Sequence, residues 1–367
     1  MRLGQHIPWL VPIVAGLLIV GGILGIARCE EIASTALGST QHQIVWSVLA
    51  VIAMALAAAP NYRLLRRWSY GALVTAILCL LAAYLFPPVN GAHRWIRVAG
   101  VGFQPSEFTK LALVLALARY LAYRESCGQF VGLIVPAAMT LVPAWLILKE
   151  PDLGTSLVLL PALFAMLLAA GARKRHLAAL ALFGIAALPA LWNQMSRDQR
   201  SRVTALWQQN RPEESPTPAG YHLHQAKVMF ALGGSWGSAL DGDGDARDEP
   251  IERRVPEAQT DSIFCVIGER YGIAGCGLLL GLYALLVSRS FSIAQQTREP
   301  FGRLIVVGIT AMIAFQVVIN TGMLVGLLPI TGVPLPLVSY GGSGLIASAI
   351  ALGLVINVGS RPGFEIG

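Results

Sequence analysis

Apolar residues along this chain gather into long blocks, and polar breaks between them are mostly short. A helix needs about 20 mostly apolar residues to cross a bilayer. The blocks predict ten such helices, over residues 7–26, 44–59, 70–86, 106–122, 130–148, 155–170, 177–191, 263–287, 304–325 and 345–358. Several are short for a span, and their ends are expected to shift by a few residues. The expected fold is therefore an all-α integral membrane protein. No sizeable soluble domain can be set apart, so residues 1–367 read as a single polytopic membrane domain. The one large polar piece is the segment 192–260, between the seventh and eighth spans.

The breaks separate by charge. Alternate connections hold Arg63, Arg66 and Arg67, then Arg119 and Arg124, then Arg173, Lys174 and Arg175, then Arg289, Arg298 and Arg303. The tails add Arg2 and Arg361, while the opposite short connections carry only Arg28, Arg94, Arg97 and Lys149. Basic residues favour the cytoplasmic side, which predicts cytoplasmic termini and an extracytoplasmic segment 192–260. Residues 1–26 hold one Arg and then an apolar stretch with no small-residue cleavage site, and read as a retained first span. No sequence repeat is evident, and the division into seven spans and three argues against an inverted-repeat transporter.

Composition agrees. Hydrophobic residues make up 55% and charged residues 13%, and the mean hydropathy is +0.63. Soluble domains carry about 25% charged residues. The net charge of +7 sits in short clusters between apolar runs, where it anchors to anionic headgroups, so nucleic acid is not an expected partner. The cysteines, Cys29, Cys79, Cys127, Cys265 and Cys276, are odd in number and widely spaced, without a metal-binding pattern.

Ionisable groups at membrane depth are costly and so mark candidate chemistry. They cluster at the ends of spans expected to face outward. The first cluster runs Gly91-Ala92-His93-Arg94-Trp95-Ile96-Arg97, then Gln104-Pro105-Ser106-Glu107-Phe108-Thr109-Lys110. Glu107 and Lys110 are three apart and share a helix face. They read either as an ion pair that locks two helices or as the lining of a polar cavity in which Lys110 meets an anion. Arg94 and Arg97 are candidates for phosphate, or for snorkelling at the interface. The second cluster is Lys149-Glu150-Pro151-Asp152-Leu153-Gly154-Thr155, where Asp152 fits a helix N-cap that can also hold a cation. In the third, Gln259-Thr260-Asp261-Ser262-Ile263-Phe264, Asp261 fits a helix start. Glu269 and Arg270 lie further in and are expected to pair structurally. The fourth, residues 331–344, includes Pro334, Pro336, Ser339, Tyr340, Gly341 and Gly342 and cannot form a regular span. Irregular backbone at membrane depth survives only against protein or a water-filled cavity, so this stretch is an expected wall of the site. Asp241, Asp243, Asp245 and Glu252 have the spacing of a calcium loop, but Ala246 stands where that loop needs Gly, so a solvated acidic loop is expected.

These clusters, in this order, resemble the SEDS family (shape, elongation, division and sporulation) across nearly the full length. The motifs are Gly-Ala-His-Arg-Trp-Ile, Gln-Pro-Ser-Glu-Phe-Thr-Lys, Pro-Asp-Leu-Gly-Thr, Gly220-Tyr221-His222, Thr-Asp-Ser-Ile-Phe and the Pro/Gly segment before the last span. From Asn320-Thr321-Gly322-Met323 through Leu-Pro-Leu-Val-Ser-Tyr-Gly-Gly the chain is more similar to the elongation member than to the division member. The resemblance implies ten spans, peptidoglycan glycosyltransferase activity on lipid II, and a class B penicillin-binding protein as transpeptidase partner. It places the family's essential acid on Asp261, its Glu and Lys on Glu107 and Lys110, and the Asp of its Pro-Asp-Leu-Gly motif on Asp152. The chain departs from the family pattern at Gln259 (usually His), Ser262 (usually Phe), Gly344 (usually Ser) and the acidic stretch 239–254.

The implied reaction is attack of an acceptor hydroxyl on an anomeric carbon with departure of a polyprenyl pyrophosphate. A hydroxyl needs a base to take its proton, and Asp261 is the candidate. Lys110 and Arg94 are candidates for the pyrophosphate, with a divalent cation (Mg or Mn) that Glu107 and Asp152 could hold. Ser339 and Tyr340 are further candidate substrate contacts. A lipid II flippase and a non-catalytic scaffold of a wall-synthesis complex are the alternatives.

Overall fold

The computed structural model describes residues 7–33, 38–88, 92–98, 101–123, 129–208, 218–238 and 257–361. The helices are α1 (Leu10–Ala33), α2 (Ser39–Ala58), α3 (Arg63–Ala83), α4 (Pro105–Leu121), α5 (Val131–Lys149), α6 (Leu153–Ala169), α7 (Lys174–Gln194), α8 (Arg197–Gln208), α9 (Pro218–Gly233), α10 (Ile263–Gln296), α11 (Pro300–Leu324) and α12 (Gly342–Gly359). Among the described residues, seven helices are long and apolar enough to cross a membrane: α1, α2, α3, α5, α10, α11 and α12. α6 is apolar but shorter. Each of the ten expected blocks falls on a helix, and the protein is a multi-pass membrane protein.

Two features depart from the expectation. The segment 192–260 carries helices α8 and α9 rather than one open polar loop, and α9 packs on α10 and α11. Its stretch 239–254, with the calcium-like spacing, lies outside the described residues. The chain is also not wholly helical. β1 (Ile96–Val98) and β2 (Val101–Phe103) pair antiparallel, with Ile96 opposite Phe103 and Arg97 opposite Gly102.

α12 packs on α2, α4 on α3, and α11 on α6 and α10. α4 is buried on nearly every face, whereas Leu56, Trp68, Phe183 and Ile273 stand largely exposed on outer faces. Apolar exposure on that scale does not suit water and does suit lipid. Pro105 and Pro300 open α4 and α11 at first-turn positions, where the missing N–H has no helical partner to lose.

The basic groups expected in the cytoplasm gather at one end. Arg63 pairs with Glu299 at 3.2 Å. Arg66 donates to the Tyr123 hydroxyl at 2.9 Å, Arg119 to the carbonyls of Arg66 and Arg67, and Arg361 to the Ala59 carbonyl at 2.8 Å. Glu269 faces Arg28 at 4.0 Å, so its charged partner is on α1 and is not the neighbouring Arg270.

α10 is broken at Gly272, whose φ of 64° and ψ of −162° lie outside the helical range. Helical hydrogen bonding lapses there, and the amides of Ile273 and Ala274 donate instead to the carbonyls of Gly234 and Ser235 at 3.1 and 3.3 Å. The end of α9 thus fits into the break. A side chain at Gly272 would meet the Ser235 backbone at 2.6 Å.

Candidate active site

Asp261 lies one residue before the N-cap of α10, which is Ser262. It therefore stands at the helix start, with Ser262 and not Asp261 in the capping position. Its turn is closed by the amides of Thr260 and Ser262 donating to the Glu257 carbonyl at 3.1 and 3.2 Å. Asn320 of α11 donates to the Asp261 carbonyl at 2.8 Å and to the Val333 carbonyl at 2.7 Å. The Tyr340 amide donates to the Gln259 carbonyl at 2.9 Å. Ser262 and His222 of α9 are hydrogen-bonded at 3.0 Å. Two irregular segments, 257–262 and 331–341, are thus joined to each other and to α11.

The Asp261 carboxylate lies over Gly332. A Cβ there would fall 2.9 Å from Asp261 Oδ2 and 3.3 Å from Arg202 Nη1, and Gly332 has φ of +70°. Only glycine meets both demands. Asp261 keeps some surface, yet its carboxyl is enclosed. Burial, followed by the negative charges of Glu257 and Asp152, pushes it up to about 7 against the pull of Arg202 and Arg94.

Asp152 caps α6, accepting from the Thr155 amide and hydroxyl, both at 3.0 Å. Arg94 donates to the carbonyls of Glu150 (2.8 Å) and Pro151, which fixes the segment before β1 to the turn before α6. Glu150 is buried at 1% exposure, and among the described residues neither of its carboxyl oxygens has a hydrogen-bond partner. Burial first, then Asp152, pushes its carboxyl up to about 8, with Arg94 opposing.

Asp261, Asp152 and Arg94 are thus brought within electrostatic reach of one another. Glu107 and Lys110 are not among the charges that act on Asp261 or Glu150. They form a buried ion pair at 2.8 Å on a single helix, α4, so the pair does not join two helices. Glu107 faces Gly344, where a Cβ would lie 3.5 Å away. The Ser339 hydroxyl accepts from the Leu335 amide at 2.7 Å, and the Ser339 carbonyl accepts from Gln43 at 3.4 Å. Ser339 and Tyr340 therefore hold the 331–341 segment in shape through turn and main-chain bonds. Arg97, on β1, is exposed.

The sequence reading missed Arg202 and Glu257; it took Gly332 only as part of the expected wall 331–344 and Asn320 only as part of a family-like stretch. Asn320 carried a signal, a polar amide deep in an apolar block. Arg202 carried little, because one Arg in a long polar segment has no pattern to distinguish it.

The two carboxylates considered for a divalent cation are otherwise engaged, Glu107 by Lys110 and Asp152 by Thr155. Among the described residues, no three His, Cys, Asp or Glu side chains converge as a metal site.

A multi-pass helical bundle with a carboxylate–arginine cluster at one end defines the class, and comparison with known proteins agrees. The FtsW/RodA/SpoVE family model, described as a cell cycle protein, matches residues 6–361. The chain belongs to that family, the SEDS proteins. It is 35% identical over 327 residues to peptidoglycan glycosyltransferase MrdB of Escherichia coli K12, covering 88% of this chain and 86% of the relative. It is 32% identical over 326 residues to the probable peptidoglycan glycosyltransferase FtsW of Trichlorobacter lovleyi, covering 87% and 82%. A chain from a structure of a peptidoglycan synthase complex that coordinates polymerization and crosslinking superposes with a TM-score of 0.79 at 29% identity, covering 96% of this chain and 97% of that one. The rod shape determining protein RodA of Thermus thermophilus superposes with a TM-score of 0.71 at 27% identity, covering 99% of both chains.

Proposed function

We propose that the protein is a peptidoglycan glycosyltransferase that polymerises lipid II on the outer face of a bacterial cytoplasmic membrane, with Asp261 as general base. The observation that carries this reading is Asp261 itself. Its backbone is pinned by Asn320, its carboxylate has a space kept open by Gly332, and its proton affinity lies near neutrality. A base works best with its pKa near the working pH. The acceptor hydroxyl attacks the anomeric carbon, its proton passes to Asp261, and the bond to the lipid diphosphate breaks with the electron pair leaving on the phosphate oxygen. Gathering of the charged groups at one end of the bundle favours a one-sided reaction centre over the alternating access of a lipid flippase.

In this reading the chain crosses the membrane ten times, α7 and α4 included, with cytoplasmic termini and residues 192–260 outside. A class B penicillin-binding protein is the proposed partner, in keeping with the synthase complex whose chain this one resembles. The elongation role rests on the stretch from Asn320 to Gly342 and on the likeness to RodA.

The test is purified protein with its partner and labelled lipid II. Glycan chains are expected from the wild type and not from Asp261→Asn, with partner binding unchanged. A general base contributes about 10²–10⁴-fold in rate. Wild-type-like chains from Asp261→Asn would return Asp261 to a structural role. Lipid II translocation in vesicles without polymer would support the flippase instead.

A further inference from the structure

Three cations bear on where an anionic group could be held, and they differ in freedom. Lys110 is committed, buried against Glu107. Arg94 is anchored, since its Nε and Nη2 hold the carbonyls of Glu150 and Pro151. Arg202 stands differently. It is half-buried on α8, outside the apolar bundle. Its Nη1 shares with Asp261 Oδ2 the space above the bare Cα of Gly332. Among the described residues no ion pair closes between the two, yet the charge of Arg202 acts on Asp261.

A diphosphate approaching Asp261 meets three carboxylates, Asp261, Glu257 and Asp152, so it needs more positive charge than Arg94 has to spare. A guanidinium presents a planar fork of donors that matches two phosphate oxygens at once.

We propose that Arg202 is a diphosphate-binding residue of this site: it offsets the charge of Asp261 in the free protein and turns to the phosphate oxygens when a lipid diphosphate binds beside Arg94. This rests on the sugar-transfer reading for the identity of the ligand. It adds a consequence for the base. Arg202 lowers the proton affinity of Asp261, so its departure to the phosphate strengthens the base when donor is present.

Inorganic pyrophosphate is the probe. Its binding to the purified full chain is read by melting temperature against pyrophosphate concentration, for wild type, Arg202→Gln, Arg202→Lys and Asp261→Asn. Losing a charged hydrogen bond costs about 1.5–3 kcal/mol, so Arg202→Gln should weaken binding by about tenfold or more. Arg202→Lys should recover part of the loss, because it restores the charge without the fork. Asp261→Asn should tighten binding by removing a repelling charge. Equal melting temperatures without pyrophosphate establish that the variants fold alike. With lipid II, Arg202→Gln should raise KM more than it lowers kcat. Wild type that does not bind pyrophosphate, or Arg202→Gln that binds it equally well, overturns the assignment. Arg202-dependent binding in a protein that makes no polymer upholds the assignment and overturns the sugar-transfer reading instead.

Discussion

Asn320 holds Asp261 by its backbone: one amide nitrogen bridges the Asp261 and Val333 carbonyls, at 2.8 and 2.7 Å, from a fully buried position on α11. The bridge fixes the turn that carries the carboxylate against the segment that carries Gly332. Asn320→Asp keeps the size and removes the donor, leaving two buried carbonyls facing a third acceptor. Each unsatisfied buried group costs about 1–3 kcal/mol. The variant should melt lower and polymerise at least about tenfold more slowly. Unchanged rates in a folded Asn320→Asp protein would show that the bridge has no catalytic consequence.

The pH profile should report Asp261. Burial, Glu257 and Asp152 push its carboxyl up to about 7, with Arg202 and Arg94 opposing. A base must be ionised to act, so the rate should fall as pH drops through about 7. Glu257→Gln removes a charge that raises the value, so the acid limb should move to lower pH. Rates across pH for wild type and Glu257→Gln check the sign. Coincident acid limbs would mean that Asp261 does not govern the profile.

Two glycines should respond oppositely to a side chain. Gly332→Ala places a methyl 2.9 Å from Asp261 Oδ2 at a φ of +70°, so it should abolish polymer. Gly344→Ser places its Cβ 3.5 Å from Glu107 Oε2, an ordinary contact, and its hydroxyl can donate to that carboxylate. Polymerisation should be kept. Assays of both variants beside their melting temperatures distinguish the cases.

Glu150 should titrate as a burden on the fold. Its carboxyl is pushed from 4.5 up to about 8, so the folded state holds a proton that the unfolded chain releases. That contribution to stability is complete below about 4.5 and is lost as pH rises towards 8. Glu150→Gln mimics the protonated form. Its melting temperature should gain on wild type between those pH values and keep the gain above them. A constant difference across pH would contradict the assignment.

The sequence carried the architecture well because a membrane imposes a coarse rule: apolar blocks become helices and basic breaks mark one side. It carried Asp261, Asp152 and Arg94 as members of separate clusters, and the fold brings these three within reach. Other positions needed three dimensions. Glu107 and Lys110 read as cavity lining or as a lock between helices, and only packing shows them buried against each other on α4. Ser339 and Tyr340 read as contacts for a ligand, and packing adds that the Ser339 hydroxyl takes the Leu335 amide while the Tyr340 amide ties its segment to Gln259. Arg202 reaches Asp261 because α8 lies over the bundle's end, and no local spacing records that approach.

The break at Gly272 divides α10 into parts with different duties. The long portion from Ile273 to Gln296 presents apolar side chains such as Ile273 and Leu278 outward, while its packing on α1 and α11 sets its tilt in the bilayer. A continuous rod would carry that tilt to its tip and displace Asp261. The interruption separates the direction of the long portion from that of the short one. The short portion from Ile263 to Tyr271 is fastened through Asp261 to Asn320, and the long portion is fastened at its first two residues, whose amides donate to Gly234 and Ser235 at the end of α9. The carboxylate thus takes its position from α11 and the 331–341 segment rather than from the direction of the membrane-spanning rod.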